Sequence, residues 1–74
     1  MEISMSDLRE SIVKASIAHF EGQIEKHKIN VEVLLNNQVG VAEHPDVMET
    51  IEKELGFIAE YHDKLEVLSK YFQS

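Results

Sequence analysis

The histidines are the residues of this chain whose side chains are the first candidates for metal binding or proton transfer. His19 and His27 lie in the first half of the sequence and His62 lies in the second half. An imidazole binds transition metals and exchanges protons near neutral pH, and a neighbouring carboxylate completes either kind of site. If the chain folds back near Gly40, positions whose numbers add to about 81 share one level, so His19 faces His62 and His27 faces Glu54.

These pairs fit a metal site only in part. Helical metal sites present a carboxylate and a histidine three residues apart, or two histidines four residues apart, on one helix face. Neither spacing occurs in the chain, and His19 and His27 are eight residues apart. The favoured interpretation is structural, with His27 and His62 filling the helix interface and hydrogen-bonding a neighbour. A His and carboxylate metal site is the alternative. A buried neutral histidine would loosen the assembly on acidification.

Other catalytic arrangements are missing from the sequence. The chain contains no cysteine, which removes the thiol nucleophile, the thiolate zinc site and the disulfide. It also contains no Gly-x-Ser-x-Gly turn, no phosphate-binding glycine loop and no recognisable Ser-His-Asp set. We therefore expect no enzymatic activity and no cofactor.

The first half of the chain has the spacing of an α-helix over about residues 6–36. Once His27 is included, its apolar positions alternate steps of four and three, a pattern typical of packed helices. Residues 29–35 also alternate as a strand would, but they stay in phase with the helix. Ser6 is the predicted N-cap. The main stripe is Val13, Ile17, Phe20, Ile24, Val31 and Leu34, and a second set, Leu8, Ile12 and Ala15, indicates another neighbour.

A second helix is predicted over about residues 45–72. It begins at Pro45, which suits the first helical position because the missing N–H would be unpaired there. Its predicted stripe is Met48, Ile51, Leu55, Ile58, His62, Leu65, Ser69 and Phe72, flanked by Val47, Tyr61 and Leu68. Four acid and lysine pairs mark the solvent side of both helices: Glu10–Lys14, Glu49–Lys53, Glu60–Lys64 and Glu66–Lys70.

The connection, about residues 37–44, has a structural interpretation and a functional one. Gly40 permits a sharp bend, and the preceding asparagines suit the end of a helix. The segment is nevertheless longer than a minimal turn requires. Val39, Val41 and His44 are therefore the candidate contacts for a partner protein.

The length of the chain favours assembly with a partner. A chain of 74 residues builds only a small core, and two helices of similar length form an antiparallel hairpin that covers one side of each helix. We expect an all-α hairpin that forms a homodimeric four-helix bundle, with a larger assembly or a different helical partner as alternatives. The predicted dimer core comprises Val13, Ile17, Phe20, Ile24, Val31, Leu34, Ile51, Leu55, Ile58, Leu65 and Phe72.

The acidic composition narrows the range of partners. The net charge is −7, and the seven basic residues are dispersed along the chain, so we expect binding neither to nucleic acid nor to anionic lipid. No apolar stretch reaches the roughly 18 residues of a membrane span, and the start of the chain lacks a secretory pattern. These features predict a soluble protein of the cytoplasm in which it is made.

Residues 27–72 carry a resemblance to a known group. The segments "NVEVLLNN", "VGVAEHPD" followed by "IEKEL", and "AEYHDKLEVL" resemble small proteins encoded by tailed bacteriophages of marine bacteria, cyanophages among them. No activity is assigned to that group, so the resemblance implies a setting and no site residue. It implies a viral protein in a bacterial cytoplasm that contacts itself, a virion component or a host protein. A self-associating assembly protein is the first hypothesis, and a regulator that inhibits a host protein is the alternative.

Overall fold

The computed structural model of the chain describes residues 4–36 and 45–73. These residues form two α-helices and no strand, which confirms the all-helical prediction for the described part of the chain. Helix α1 spans Met5–Asn36 and helix α2 spans Pro45–Phe72. Residues 29–35 continue α1 without a break, as the phase of their apolar side chains predicted. Val39, Val41 and His44, the candidate partner contacts, lie outside the described residues.

Ser4, and not the predicted Ser6, caps α1. The Ser4 hydroxyl oxygen accepts a hydrogen bond from the backbone N–H of Asp7 at 3.1 Å, and the Ser4 carbonyl accepts one from the N–H of Leu8 at 2.9 Å. Ser6 is already helical, and its hydroxyl lies 3.1 Å from that of Ser4. The earlier cap places Asp7 at the third helical position, where its carboxylate meets the positive end of the helix dipole.

Side chains also satisfy backbone groups at the ends that face residues 37–44. The amide nitrogen of Asn36 donates to the carbonyl of Glu32 at 2.7 Å in the last turn of α1. In α2, which begins at Pro45, the Thr50 hydroxyl donates to the carbonyl of Asp46 at 2.7 Å. Such bonds satisfy or share carbonyls where the regular helical pattern begins or ends.

The two helices lie side by side and antiparallel. Arg9, near the start of α1, donates through its guanidinium to the carbonyl of Phe72 at the end of α2, at 2.6 Å. Further along the hairpin, His27 hydrogen-bonds Glu54. The residue numbers of both pairs add to 81, so the levels of the two helices correspond as the hairpin prediction required.

The described part of the hairpin is one helix thick and encloses no apolar core. Its principal extents are 59 × 25 × 13 Å. Among the described residues, His27 is the one buried side chain, at 7% exposed, and no apolar residue is buried. The apolar side chains between the helices are half-buried because each helix covers its neighbour on one side only. They are Val13, Ile17, Phe20, Ile24, Val31 and Leu34 on α1, and Val47, Ile51, Ile58, Tyr61, Leu65 and Leu68 on α2.

Helix α2 presents a slightly different face to α1 from the predicted one. Glu54 and Tyr61 occupy the interface positions predicted for Leu55 and His62. Leu55 is 51% exposed, and the side chain of His62 is 68% exposed. Both sets keep the four-three spacing with the residues that do face α1, which are Ile51, Ile58 and Leu65. The contacts that Glu54 and Tyr61 make with α1 decide between the two.

The outer faces carry few ion pairs. Of the four predicted acid and lysine pairs, all within the described residues, Glu60–Lys64 alone is formed, at 3.3 Å. Lys28 pairs instead with Glu25, at 3.1 Å. Exposed pairs of this kind add little stability because water screens them and the long side chains lose freedom. Neither of the two described helices is long and apolar enough to cross a membrane.

Candidate functional site

His27 lies at the centre of a polar cluster that joins the two helices. Its Nδ1 donates to Oε2 of Glu54 on α2. The side-chain amide of Asn30 lies 3.2 Å from each oxygen of the same carboxylate and donates to it. Glu54 therefore accepts hydrogen bonds from two side chains of α1, and the cluster is tied to this alignment of the helices.

The positions of these residues follow from helical geometry. His27 and Asn30 are three residues apart, so both lie on the face of α1 that meets α2. Glu54 occupies the corresponding level of α2. The sequence predicted the contact between His27 and Glu54, and the contact is confirmed. It did not single out Asn30, although a polar residue one turn after His27 was the available signal.

Aromatic rings complete the surroundings of His27. Its ring stacks on Phe57, with centroids 4.7 Å apart, and is nearly parallel to the ring of Tyr61 at 6.2 Å. Tyr61 also lies 6.1 Å from Phe20 and meets the edge of His19 at 6.3 Å. The imidazole is therefore enclosed by rings and by Glu54, which explains why a polar residue is the most buried of the described residues.

The cluster alters the acidity of its carboxyl group. The hydrogen bond from His27 lowers the pKa of Glu54 below its ordinary value, and the hydrogen bond from Asn30 and the charge of Lys26 act in the same direction. Partial burial opposes them. Because the hydrogen bonds favour the charged form, Glu54 remains ionised to a lower pH than a free glutamate.

The described residues do not form the pair of His19 and His62, which was predicted because their numbers add to 81. The ring of the exposed His19 meets that of Tyr61 at its edge, and the Nδ1 of His62 lies 4.0 Å from Glu66 on its own helix. Across residues 4–36 and 45–73, no three His, Asp or Glu side chains are grouped to hold a metal ion. The contacts of His27 hold one helix against the other, as in the structural interpretation of this residue.

A second candidate site is an exposed apolar surface. Twelve large apolar side chains among the described residues are more than a third exposed. Several of them belong to one line of α1 positions in which steps of three and four alternate over the whole helix, and we call this line the α1 stripe. Every member is exposed: Met5, Leu8, Ile12, Ala15, His19, Gly22, Lys26, Ile29 and Val33.

The first residues of the α1 stripe line an apolar groove. The groove has a volume of about 590 Å³ and lies between the start of α1 and the end of α2. Leu8 and Ile12 line one side, Leu68 and Phe72 line the other, and Arg9 stands at its edge. Leu8, Ile12 and Ala15 were the residues in which the sequence indicated a further neighbour. All three are exposed, so α2 of the same chain leaves much of their surface uncovered.

Comparison with known proteins adds no relative. The chain matches no family model, no curated protein and no solved structure. The resemblance of residues 27–72 to phage proteins therefore stays a prediction.

Proposed function

We propose that this protein is a non-enzymatic, self-associating helical module, and that its hairpins pair into a four-helix bundle. The observation that carries the proposal is the lack of any buried apolar side chain among the described residues, together with twelve large apolar side chains exposed. Contiguous exposed apolar surface on a small water-facing protein marks an interaction site.

The energy of apolar burial favours association. Fully burying a large aliphatic side chain contributes about 1.5 to 3 kcal/mol, and the hairpin leaves much of that contribution unused. A chain of this size seldom retains more than about 3 to 5 kcal/mol of stability from one core. In a bundle each helix gains a second neighbour, so surface that faces water in one hairpin becomes interior.

The proposed setting is the cytoplasm of a bacterial host during phage infection, with a role in assembly. The resemblance of residues 27–72 supports the viral origin, and the net charge of −7 favours a protein partner over nucleic acid or anionic lipid. The rival role, inhibition of a host protein, would use the same exposed surfaces with a different partner.

Sedimentation equilibrium over a wide range of protein concentration tests self-association. We expect a shift from monomer to dimer mass as the concentration rises, accompanied by a concentration-dependent melting temperature. A chain that remains monomeric and helical at every concentration would overturn the proposal.

The assembly role has its own test. A tagged chain expressed in infected cells should co-purify with a capsid or tail protein of the phage. Recovery of a host enzyme in place of virion proteins would contradict the assembly role and leave self-association intact.

A further inference from the structure

We infer that a second copy of this chain covers the α1 stripe, and that the two α1 helices pair antiparallel about a two-fold axis between Phe20 and Glu21. This inference rests on the proposed self-association and identifies the surface that performs it. The α1 stripe has the alternating three-four spacing of a coiled-coil seam along its whole length, and such a seam fits another helix.

The large residues of the stripe are self-complementary under this symmetry. An antiparallel pair centred there sets Leu8 against Val33 and Ile12 against Ile29 of the second copy, because the numbers in each pair add to 41. All four side chains are exposed in the hairpin, from 44% at Leu8 to 60% at Val33. Two apolar layers therefore form at each end of the contact, and the two ends are equivalent, as a two-fold interface requires.

The small residues of the stripe meet its two polar members. The same operation sets Gly22 against His19, and Ala15 against Lys26. Beyond the adjacent residues and the backbone of its own turn, no atom lies within 4 Å of the place where Gly22 would carry a Cβ, so the imidazole of the second copy has room there. The stem of Lys26 can lie over the methyl group of Ala15 while its ammonium group reaches water.

Charge selects the antiparallel direction. In a parallel pair each Lys26 would face the other Lys26, and each His19 the other His19. The residues that directly precede alternate members of the stripe flank it on one side, and in the antiparallel pair they meet each other with numbers that add to 43. The acidic residues among them therefore meet neutral ones: Glu25 faces Ala18 and Glu32 faces Ser11 of the second copy. Two copies of an acidic chain can therefore approach along this face without placing like charges opposite each other.

The opposite edge of the hairpin offers a smaller apolar surface. Phe57 and Thr50 lie on the side of α2 that adjoins the stripe, since Phe57 stacks on His27 and Thr50 shares a surface cleft with Val33. Leu55 and Met48 project from the other side of α2. Within residues 4–36 and 45–73, fewer exposed apolar side chains lie on that edge than on the stripe and its groove, so the stripe is the stronger candidate for the dimer face.

Cysteine crosslinking tests the pairing, because the natural chain has no cysteine. A tagged Ile12→Cys variant is mixed with an untagged Ile29→Cys variant, allowed to exchange, and treated with a short bis-maleimide. We expect a crosslinked product that contains one tagged and one untagged chain. Neither variant alone should crosslink, because 17 residues separate the two positions, which is about 25 Å along the helix.

A matched control replaces Ile29→Cys with Lys28→Cys. Lys28 occupies nearly the same level of α1 but lies about 100° round the helix, outside the stripe. The control mixture should lose the crosslink, and sedimentation of each variant should show that it remains dimeric.

Three outcomes would overturn the inference. Crosslinking of Ile12→Cys to itself would mean that the α1 helices run parallel. Dimeric variants with no mixed crosslink would place the interface elsewhere and leave the proposed self-association standing. A natural chain that sediments as a monomer would overturn both.

Discussion

Shortening Ile12 to alanine tests how much the α1 stripe contributes to the dimer. Ile12 is 57% exposed in the hairpin, so association can still remove that part of its surface from water. Full burial of such a side chain is worth about 1.5 to 3 kcal/mol. The exposed fraction therefore corresponds to about 0.9 to 1.7 kcal/mol in each chain.

The symmetry of the dimer doubles the effect. Each dimer loses the side chain twice, and alanine keeps one methyl group, so we expect Ile12→Ala to weaken association by about 1.5 to 3 kcal/mol. This free energy corresponds to a ~10- to 150-fold increase in the dimer Kd. The helicity of the isolated hairpin should change little, because more than half of the substituted side chain already faces water there.

The assay is sedimentation equilibrium of the natural chain and of two variants at several concentrations. Leu55→Ala is the matched control, because Leu55 has a similar exposed fraction, 51%, but lies outside the stripe. We expect the Kd of Leu55→Ala to remain within about twofold of the natural value, since surface substitutions away from an interface change free energies little. A larger loss of affinity in Leu55→Ala than in Ile12→Ala would refute the assignment of the interface.

Three further predictions concern the hairpin and are measured by urea unfolding followed by circular dichroism. Glu54→Gln should reduce the loss of stability on acidification. In the natural chain His27 lowers the pKa of Glu54, so the ionised carboxylate stabilises the hairpin above the ordinary pKa of 4.5. This stabilisation is lost as the pH falls through the lowered pKa. Ser4→Ala should cost about 1 kcal/mol through the lost cap, whereas Ser6→Ala should cost much less. Gly56→Ala should add about 0.5 to 1 kcal/mol, because no atom beyond the adjacent residues and the backbone of its own turn lies within 4 Å of the new methyl group.

Each of these has a contrary result. A Glu54→Gln chain with the same loss of stability below pH 4.5 as the natural protein would show that other carboxyl groups dominate acid unfolding. A greater loss in Ser6→Ala than in Ser4→Ala would restore Ser6 as the cap. A destabilised Gly56→Ala would mean that a neighbour occupies the space beside α2.

Much of the fold was predictable because apolar residues recur in the sequence with the period of an α-helix. The four-three spacing of apolar residues predicted both helices, and Pro45 predicted the start of the second, because these signals depend on local geometry. In an antiparallel hairpin, the position of the bend decides which residues of the two helices lie at the same level. A bend near Gly40 therefore placed His27 opposite Glu54.

The face that α2 presents to α1 was not predictable in the same way. Leu55 and His62 suit the spacing as well as Glu54 and Tyr61 do, and hydrophobicity favours Leu55 over Glu54. The structure prefers the set with the carboxylate, because Glu54 accepts hydrogen bonds from His27 and Asn30 across the helix contact. A pattern based on hydrophobicity gives no weight to a partly buried hydrogen bond between residues 27 positions apart in sequence.

The local interactions written in the sequence therefore account for two helices of given length, their antiparallel pairing and the level at which residues meet. The cap at Ser4 is a local contact with Asp7 and Leu8, which the sequence pattern assigned to Ser6 instead. The rotation of α2 and the exposure of the α1 stripe came from the tertiary arrangement. They depend on contacts between distant residues, and on the fact that one helix can shield only one side of another. The stripe that α2 leaves uncovered is where we expect the second copy to bind.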